Sequence, residues 1–309
     1  MSGIIDPMRR LVLLVVLAPL LYAGWVVWGL PSRAEVRELA GTNPRITSLM
    51  RQREREAQRA GRPVRRVQIW VPIAGVSRHL IHAVLASEDQ KFFGHEGVDW
   101  DAIKKSVETD RARGRFVRGG STITQQLAKN LFFTTEKTLT RKLRELVVAR
   151  WMEEDLSKKR ILELYLNVIE WGDGVYGAQA AALRYYGKPA SDLEPAEAAG
   201  LAGMIPNPRR INPLVDSRRF ARAQRRVLWL MASAGYIRRD AAGLGTEPPP
   251  PAEAAEDEEE DAEPPPLAAP EPELTPAPDA TPEPQATPEP QATPEPQATP
   301  EAQGTPGVR

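Results

Sequence analysis

The sequence contains no cysteine and only three histidines among its 309 residues. The absence of cysteine excludes disulfide scaffolds, thiolate metal sites and cysteine nucleophiles. His79 and His82 would share one face of a helix, but no acidic ligand stands at a recognisable metal spacing from them, so we predict no metal site. The chain also lacks any Ser-x-x-Lys or Lys-Thr-Gly sequence, which excludes the serine acyl-enzyme chemistry that depends on those motifs.

The sequence also lacks net charge, because 41 basic residues are balanced by 41 acidic ones. The balance hides a strong asymmetry: residues 244–309 carry a net charge of −15, and residues 1–243 carry +15. The acidic part holds 19 of the 30 prolines, shows no apolar periodicity and repeats TPEPQA from Thr281. Such a composition cannot bury a core. We therefore predict that residues 244–309 form a disordered tail that contributes no catalytic group.

Residues 11–30 are uncharged and apolar, and twenty such residues are enough for a helix to cross a bilayer. Arg9 and Arg10 precede them, which favours a transmembrane helix with residues 1–10 in the cytoplasm. The alternative is a cleaved signal peptide, although no Ala-x-Ala-like site follows. Residues 31–66 are polar and basic. They are either a solvated helix or linker, or a juxtamembrane segment that lies against anionic lipid headgroups.

Helical periodicity dominates residues 67–243. Apolar residues recur at three- and four-residue spacing in stretches such as 121–132, 138–156 and 159–169. We therefore predict one all-α domain over residues 67–243, in which only residues 67–73 look extended.

Two polar stretches at helix boundaries could carry chemistry. Glu88 and Asp89 end an apolar helix, where a buried carboxylate is costly unless it is paired or its raised pKa is used. The alternative is a helix cap or a salt bridge. Residues 118–130 (RGGSTITQQLAKN) place two glycines and three hydroxyl residues at a helix start, where backbone N–H groups and the helix dipole can bind an anion. The alternative there is an ordinary capped helix.

Two further polar stretches lie within helical patterns. Arg141 and Glu145 are four residues apart in the charged run 137–145, which could equally be a solvated helix surface. Glu163 and Asn167 have the same spacing, inside a stretch whose Leu, Ile and Tyr residues we assign to the core.

In this combination and order, the stretches resemble the peptidoglycan glycosyltransferases of glycosyltransferase family 51, and specifically its monofunctional members. The resemblance runs from about Trp70 to Ile237. Four family patterns are met: ED-x-x-F-x-x-H-x-G at 88–97, GGSTITQQ at 119–126, RK-x-x-E at 141–145 and K-x-x-I-x-E-x-YLN at 158–167.

Three positions depart from the family patterns. Ala223 stands where the fifth motif has Arg, although the rest of that motif fits. Lys105 and Lys137 stand where the family usually has Arg, so the charge is kept while the bidentate fork of the guanidinium is lost.

The resemblance implies a lysozyme-like fold, with two helical lobes, a cleft between them and a smaller hydrophobic lobe that dips into the membrane. It implies that the enzyme polymerises lipid II, an undecaprenyl-pyrophosphate disaccharide-pentapeptide, into β-1,4-linked glycan strands for the bacterial cell wall. Undecaprenyl pyrophosphate would be released, and transpeptidase activity would be absent. The implied location is the inner membrane, with a single span and the catalytic domain in the periplasm.

The resemblance also implies roles for individual residues. Glu88 would be the general base, and Glu145 a second essential carboxylate that orients cations or assists departure of the pyrophosphate. The implied substrate-binding residues are Asp89, Lys105, Gly120, Ser121, Thr122, Gln125, Gln126, Lys129, Lys137, Arg141, Lys142 and Asn167. No cofactor would be required, with a divalent Mg²⁺ or Mn²⁺ ion at the pyrophosphate left open. The partners would be lipid II, the growing glycan strand, membrane lipid and other cell-wall synthesis or division proteins, and no nucleic acid.

Two other functions remain as alternatives. A lytic transglycosylase or muramidase would also be lysozyme-like and use a Glu, but it needs neither a cationic pyrophosphate clamp nor a lipid anchor. A non-catalytic envelope scaffold would not need both Glu88 and Glu145. The presence of both carboxylates, with the RK-x-x-E and GGSTITQQ patterns, favours the polymerase.

Overall fold

The structure is a computed structural model that describes residues 7–113, 120–136, 138–240 and 243–245, with side chains described from Val15 onwards except at 105, 107 and 109–113. Within these residues the helices are α1 Pro7–Trp28, α2 Arg33–Glu38, α3 Ser48–Arg59, α4 Arg78–Glu88, α5 Trp100–Arg113, α6 Ile123–Phe132, α7 Leu139–Asp155, α8 Lys158–Val168, α9 Ala178–Tyr186, α10 Pro195–Met204 and α11 Ser217–Ser233. The structure is 62% helix and 3% strand, which confirms the all-α prediction.

Hydroxyl residues mark the starts of several helices. The side chains of Thr47, Ser77, Thr122, Thr138 and Ser157 each accept a hydrogen bond from a backbone N–H two or three residues further on. Each cap satisfies one of the N–H groups that have no partner in the first turn of a helix. Thr122 and Thr138 matter most for the site, because they set where α6 and α7 begin.

The core is built around α8, where Ile161, Leu162, Leu164, Tyr165 and Leu166 are at most 1% exposed. Helix α6 packs against both α7 and α8, while α10 packs against α4 and α11. A hydrogen bond from the backbone N–H of Ile123 to Asp89 joins the start of α6 to the end of α4, next to α7. The candidate active site is at this place.

The departure at Ala223 has a packing explanation. A Cβ added at Gly203 of α10 would come within 3.0 Å of the Cβ of Ala223 on α11, and within 2.9 Å of its backbone. Small residues on both helices allow this close approach. The position that holds Arg in the fifth family motif is therefore a helix-packing position in this chain.

A small three-stranded sheet joins the N-terminal part of the chain to the end of α8. Its strands are β1 Val67–Gln68, β2 Glu170–Gly172 and β3 Val175–Tyr176, in the order β1-β3-β2. Strand β1 runs parallel to β3, and β2 runs antiparallel to it. The predicted extended stretch 67–73 is therefore strand only in its first two residues, and the β2–β3 hairpin was not predicted. Gly174 makes the hairpin turn at φ +75°, where an added Cβ would lie 2.6 Å from the carbonyl oxygen of Arg65.

The N-terminal apolar run forms a helix of the kind that a membrane anchor requires. Among the described residues, one segment, Val15–Glu38, is long and apolar enough to cross a membrane. It covers most of α1, whose side chains from Val15 to Leu21 are exposed along its surface. The predicted cytoplasmic residues 1–6 and tail residues 246–309 lie outside the described part of the chain.

Helices α2 and α3 fall within the basic segment 31–66, and both pack against the helical body. Arg33 of α2 forms a salt bridge with Asp155 at 2.9 Å, and Arg53 of α3 forms one with the buried Glu170 at 2.9 Å. The segment is therefore not a free linker in this structure. The domain boundary predicted between residues 66 and 67 stays a prediction, but well-defined contacts cross it.

Candidate active site

Glu88 is the last residue of α4 and lies, partly exposed, at the wall of a pocket. Its Oε2 accepts a hydrogen bond from Gln126 Nε2 at 2.7 Å, and Gln126 Oε1 in turn accepts one from the Tyr165 hydroxyl at 3.0 Å. Burial raises the pKa of Glu88, while the bond from Gln126 and the charge of Lys129 oppose that rise. A carboxylate held in this way keeps one oxygen available as a base, and its raised pKa makes it a better proton acceptor.

Asp89 is buried behind Glu88, and its carboxylate is used within the protein. Its Oδ2 accepts from the backbone N–H of Ile123 at 3.1 Å, and both of its oxygens lie 3.0 Å from His95 Nε2. Burial raises the pKa of Asp89, and the Ile123 N–H and His95 counteract part of this effect. We predicted that Asp89 binds substrate. In the structure its carboxylate joins the first turn of α6 to the end of α4, and Asp89 also lines the pocket, so its role in substrate binding stays a prediction.

Two residues predicted to bind substrate, Thr122 and Gln125, are also buried. Thr122 Oγ1 donates to the carbonyl oxygen of Gly97 at 2.7 Å, and Gln125 Nε2 donates to the same oxygen at 3.1 Å. Gly97 has φ +83°, a conformation that favours glycine, and an added Cβ would lie 3.3 Å from the carbonyl oxygen of Ala149. These bonds fix the loop after α4 against α6. They leave Oε1 of the Gln125 amide to accept a hydrogen bond from Lys142.

Three basic residues, Lys129, Arg141 and Lys142, form a group that we call the cation cluster. Lys142 Nζ donates to Gln125 Oε1 at 2.6 Å and to Ser121 Oγ at 2.9 Å. Burial and, to a smaller extent, the charges of Arg141 and Lys129 together lower the pKa of Lys142 to about 8. A partly buried ammonium among other cations is a favourable place for an anion, because the anion relieves their mutual repulsion.

Glu145 is buried beneath the cation cluster and is 3% exposed. Its Oε1 accepts a hydrogen bond from Arg141 Nη1, and its Oε2 lies 3.6 Å from Lys142 Nζ. Both cations are on its own helix, at four and three residues' distance. Of the two roles that the resemblance allows for Glu145, this geometry favours the first, in which it holds the cations in place.

The pocket beside Glu88 has a volume of about 310 Å³. Gly120 forms part of its wall at φ +104°, where an added Cβ would lie 3.3 Å from Ser106 Oγ. Lys137 and the side chain of Lys105, both predicted to bind substrate, lie outside the described residues. The pocket is lined by Glu88, Asp89, Gln90, Lys91, Asp99, Asp101, Ala102, Gly120, Ser121 and Thr122.

Asn167 does not line this pocket, and its role in substrate binding stays a prediction. It is fully buried, and its Nδ2 donates to the carbonyl oxygens of Val71 and Glu163, at 2.8 Å each. Its Oδ1 accepts from the backbone N–H of Val71 at 2.9 Å. Asn167 therefore replaces a strand partner for the 70–72 segment, which explains why that part of the predicted extended stretch is not in the sheet.

The Asn167→Leu variant is expected to lose stability rather than specific activity. The substitution leaves the N–H and carbonyl groups of Val71 buried without partners, which costs about 1–3 kcal/mol for each such group. Thermal unfolding should therefore shift downward, while the folded fraction keeps its KM for substrate. A raised KM at unchanged stability would instead show that Asn167 binds substrate.

Tyr165 and His95 lie in the matched family patterns, but they were not predicted as site residues. Tyr165 orients the Gln126 amide, and its burial raises its pKa well above the usual value, so it stays a hydrogen-bond donor. His95 orients Asp89. Both were present in the matched patterns, and their polar atoms inside apolar surroundings were the signal that could have identified them.

The comparisons with known proteins show the family of this chain. A family model described as Transglycosylase matches residues 54–232. A biosynthetic peptidoglycan transglycosylase of Azoarcus sp. (strain BH72) is 48% identical over 208 residues, covering 66% of this chain and 89% of the relative. The protein of the same name from Dechloromonas aromatica (strain RCB) is 51% identical over 187 residues, covering 60% and 76%.

Among solved structures, Penicillin-Binding Protein 1A from Haemophilus influenzae matches with 24% identity and a TM-score of 0.33. The match covers 60% of this chain and 18% of that protein. The family match spans more than half of the chain and contains Glu88, the cation cluster and Glu145. On these grounds, the chain belongs to the transglycosylase family and is an enzyme related to the biosynthetic peptidoglycan transglycosylases.

Proposed function

We propose that this enzyme polymerises lipid II into β-1,4-linked glycan strands and releases undecaprenyl pyrophosphate. The observation that carries the proposal is the pair of neighbouring amides on α6. Gln126 holds Glu88, while Gln125 holds Lys142 of the cation cluster. A proton acceptor and a cation are thereby fixed by adjacent residues of α6, and the charge of Lys129 also acts on Glu88. A transfer from a pyrophosphate to an alcohol requires both kinds of group.

Glu88 supplies the base. The acceptor is the 4-hydroxyl of the GlcNAc of an incoming lipid II, and an alcohol is a poor nucleophile at neutral pH. A carboxylate in hydrogen-bond reach takes the hydroxyl proton as the oxygen attacks C1 of the donor sugar. Glu88 Oε2 is occupied by Gln126, so Oε1 is the atom that we assign to this proton.

The cation cluster stabilises the leaving group. As the bond from C1 to the pyrophosphate oxygen breaks, negative charge grows on the lipid pyrophosphate, and fixed cations in a partly water-excluded place stabilise that charge. Lys142 is held by Ser121 and Gln125, and Arg141 is held by Glu145, so neither has to reorganise during the reaction. Attack from the face opposite the pyrophosphate inverts C1, which converts an α-linked donor into a β-linked glycan.

The cation cluster also weighs against the hydrolytic alternative. A lytic transglycosylase or muramidase releases a sugar and not a pyrophosphate, and it has no need for three cations beside its acid. A scaffold without activity would have no use for a carboxylate whose pKa is raised at the wall of a pocket. We therefore favour the lipid II polymerase over the hydrolytic enzyme and the scaffold.

We place the enzyme in the bacterial inner membrane, with residues 1–10 in the cytoplasm and the catalytic domain in the periplasm. The apolar helix α1 and the arginines before it support this orientation. Lipid II and the growing strand would reach the site from the membrane surface. We propose cell-wall synthesis or division proteins as the protein partners of this enzyme. We propose that the enzyme itself has no transpeptidase activity and binds no nucleic acid.

We propose that catalysis needs no metal held by the protein. Within the described ranges, no group of three or more His, Asp or Glu side chains is arranged to hold a metal ion. Asp89 is already used by Ile123 and His95, and Asp101 is paired with Lys91 at 2.8 Å. These residues do not fit a metal cage, so no step of the proposed reaction depends on Mg²⁺ or Mn²⁺ held by the protein. Whether an ion travels with the pyrophosphate stays an open prediction.

The proposed function is tested by incubating the purified chain in detergent with labelled lipid II and separating the products on a gel. We expect a ladder of glycan polymers that muramidase degrades, together with released undecaprenyl pyrophosphate. Cleavage of preformed glycan with lipid II left intact would support the hydrolytic alternative. An enzyme preparation that is folded but does neither would support the scaffold.

The pH dependence of kcat/KM is expected to be bell-shaped, because it reports the ionisation of the free enzyme. Glu88 must be deprotonated, and its raised pKa moves the acidic limb above the usual range of a glutamate. Lys142 must be protonated, so activity is lost as the pH rises through about 8. The Lys142→Arg variant keeps its charge at that pH and should lack the alkaline limb. An alkaline limb that persists unchanged in this variant would show that another group is responsible.

A further inference from the structure

The last turn of α1 is held by an arginine from the helix that carries most of the cation cluster. Arg144 Nε donates to the carbonyl oxygen of Val26 at 3.0 Å, and Arg144 Nη2 donates to that of Trp25 at 2.7 Å. The guanidinium carbon also lies 5.3 Å from the ring centroid of Trp25. One turn earlier on each helix, a hydrogen bond of 3.0 Å joins the hydroxyls of Tyr22 and Thr140. Helices α1 and α7 are thus joined by two separate polar contacts.

The end of α1 is a suitable partner for an arginine. The last four carbonyl groups of a helix have no intrahelical N–H partner, and they carry the negative end of the helix dipole. Arginine offers several donors in a planar fork and can also stack on an aromatic ring. Arg144 uses both properties, since it reaches two carbonyl oxygens and the ring of Trp25 at once.

Helix α7 presents its catalytic cations from the neighbouring face. Thr140 and Arg144, which contact α1, are four residues apart, and Arg141 and Glu145 have the same spacing one residue further on. One residue corresponds to about 100° around a helix. Because α7 is a single continuous helix, any rotation or shift at its contact with α1 also moves Arg141 and Lys142 relative to the start of α6.

The other end of α7 is tied to the same N-terminal region. Arg33 of α2 forms salt bridges with Glu154 at 2.7 Å and with Asp155 at 2.9 Å, and Arg37 forms one with Asp155 at 3.2 Å. The arginines and Glu154 are exposed while Asp155 is largely covered, so each pair contributes only modest stability. They nevertheless show that contacts from the N-terminal segment follow α7 along its length, with Arg144 next to the cations.

Gly29 allows Arg144 to reach the end of α1. A Cβ added at Gly29 would overlap the guanidinium group of Arg144. The backbone of Gly29 is not in the left-handed region, so the absence of a side chain is what the contact requires. Gly24, within α1 and five residues before Gly29, offers a contrast, because a Cβ added there meets nothing within 4 Å.

We propose that Arg144 is a positioning residue for glycan transfer. It positions the cations of α7 by fixing that helix to the end of the membrane anchor. The contact sets where Arg141 and Lys142 stand relative to Glu88. The anchor helix then helps to position the active-site cations, in addition to attaching the enzyme to the membrane. This inference rests on the proposed function, because polymerisation of lipid II is its readout.

The test compares Gly29→Ala with Gly24→Ala in the whole chain, purified in the same detergent. Neither substitution alters the helical body, and only the first displaces Arg144. We expect kcat of Gly29→Ala to fall about 10–100-fold, because a displacement of about 1 Å at a positioning contact can cost about 100-fold. KM and the thermal midpoint should change little, and Gly24→Ala should stay within about twofold of the unsubstituted chain, since a single added methyl in open space disturbs no contact.

A double-mutant cycle supplies a readout that a purely structural role would not give. If Gly29→Ala acts by displacing Arg144, then adding it to Arg144→Ala has no further effect, and the two losses do not add. Arg144→Lys keeps a donor without the fork, and it is expected to recover part of the rate that Arg144→Ala loses. It also leaves α1 unchanged, so it tests the contact even where a substitution in the anchor impairs folding.

Equal rates for Gly29→Ala and Gly24→Ala would overturn the inference, and so would fully additive losses in the cycle. Failure of the proposed function would give a different result. If the unsubstituted chain makes no glycan polymer from lipid II, the proposed function is wrong and the role of Arg144 in that reaction falls with it.

Discussion

The Glu88→Gln variant is expected to polymerise lipid II about 10²–10⁴-fold more slowly than the unsubstituted chain. Glutamine has nearly the same shape as glutamate, and its carbonyl oxygen can still accept the hydrogen bond from Gln126. It cannot accept the proton of the attacking hydroxyl, so the loss should appear in the chemical step and not in folding. Initial rates of polymer formation from labelled lipid II measure the effect.

Glu96→Gln is the matched control for this variant. Glu96 lies in the same polar stretch, but its exposed carboxylate pairs with Arg150 outside the pocket. Its rate should stay close to that of the unsubstituted chain. Glu88→Gln should also keep its affinity for a phosphoglycolipid that mimics the donor, because the cation cluster is untouched. Near-normal turnover of Glu88→Gln would show that the base has been misassigned.

The Lys142→Ala variant is expected to lose about 10²–10³-fold in turnover, the usual cost of removing one group that stabilises developing negative charge. Lys142 Nζ is held by Ser121 and Gln125 within the cation cluster, so its removal leaves that charge only partly compensated. Affinity for the phosphoglycolipid donor mimic should fall as well, since the cation also meets the pyrophosphate in the ground state. Steady-state kinetics and a binding titration measure the two effects.

Lys159→Ala is the control for the loss of a lysine. Lys159 is exposed on the first turn of α8, away from the pocket lining, so its removal should change turnover by less than about twofold. High salt should not reproduce the Lys142→Ala defect in the unsubstituted chain, because partly buried charges are screened weakly. A silent Lys142→Ala would mean that the 137–145 stretch is only a solvated helix surface.

The helices near the site were predictable because their signals are local. The apolar stretches 138–156 and 159–169 correspond closely to α7 and α8. Hydroxyl residues before α6, α7 and α8 act as the caps that their types favour. The short β2–β3 hairpin was missed because two- and three-residue strands are too short to show a period of two.

The division of labour among the polar residues was not predictable in the same way. Glu88 and Asp89 are neighbours of nearly the same chemistry and both line the pocket, yet Glu88 keeps one oxygen without a protein partner among the described residues, while both oxygens of Asp89 contact Ile123 or His95. Asn167 shares its motif with residues near the site, yet its amide satisfies the backbone of Val71. Which oxygen or amide is left for a substrate depends on donors that come from distant parts of the chain.

The sequence by itself determined the all-α class, the apolar N-terminal helix, the composition of the tail and the residue types that the chemistry needs, because periodicity, charge and motif spacing are written along the chain. Only the tertiary structure decided that Gln125 and Gln126 hold the cation cluster and the base side by side, that Glu145 serves its two cations, and that Arg144 binds the end of α1. These contacts join residues up to 119 positions apart. Their existence depends on how α1, α4, α6 and α7 pack, and packing is set by the shape of the whole core rather than by any local pattern.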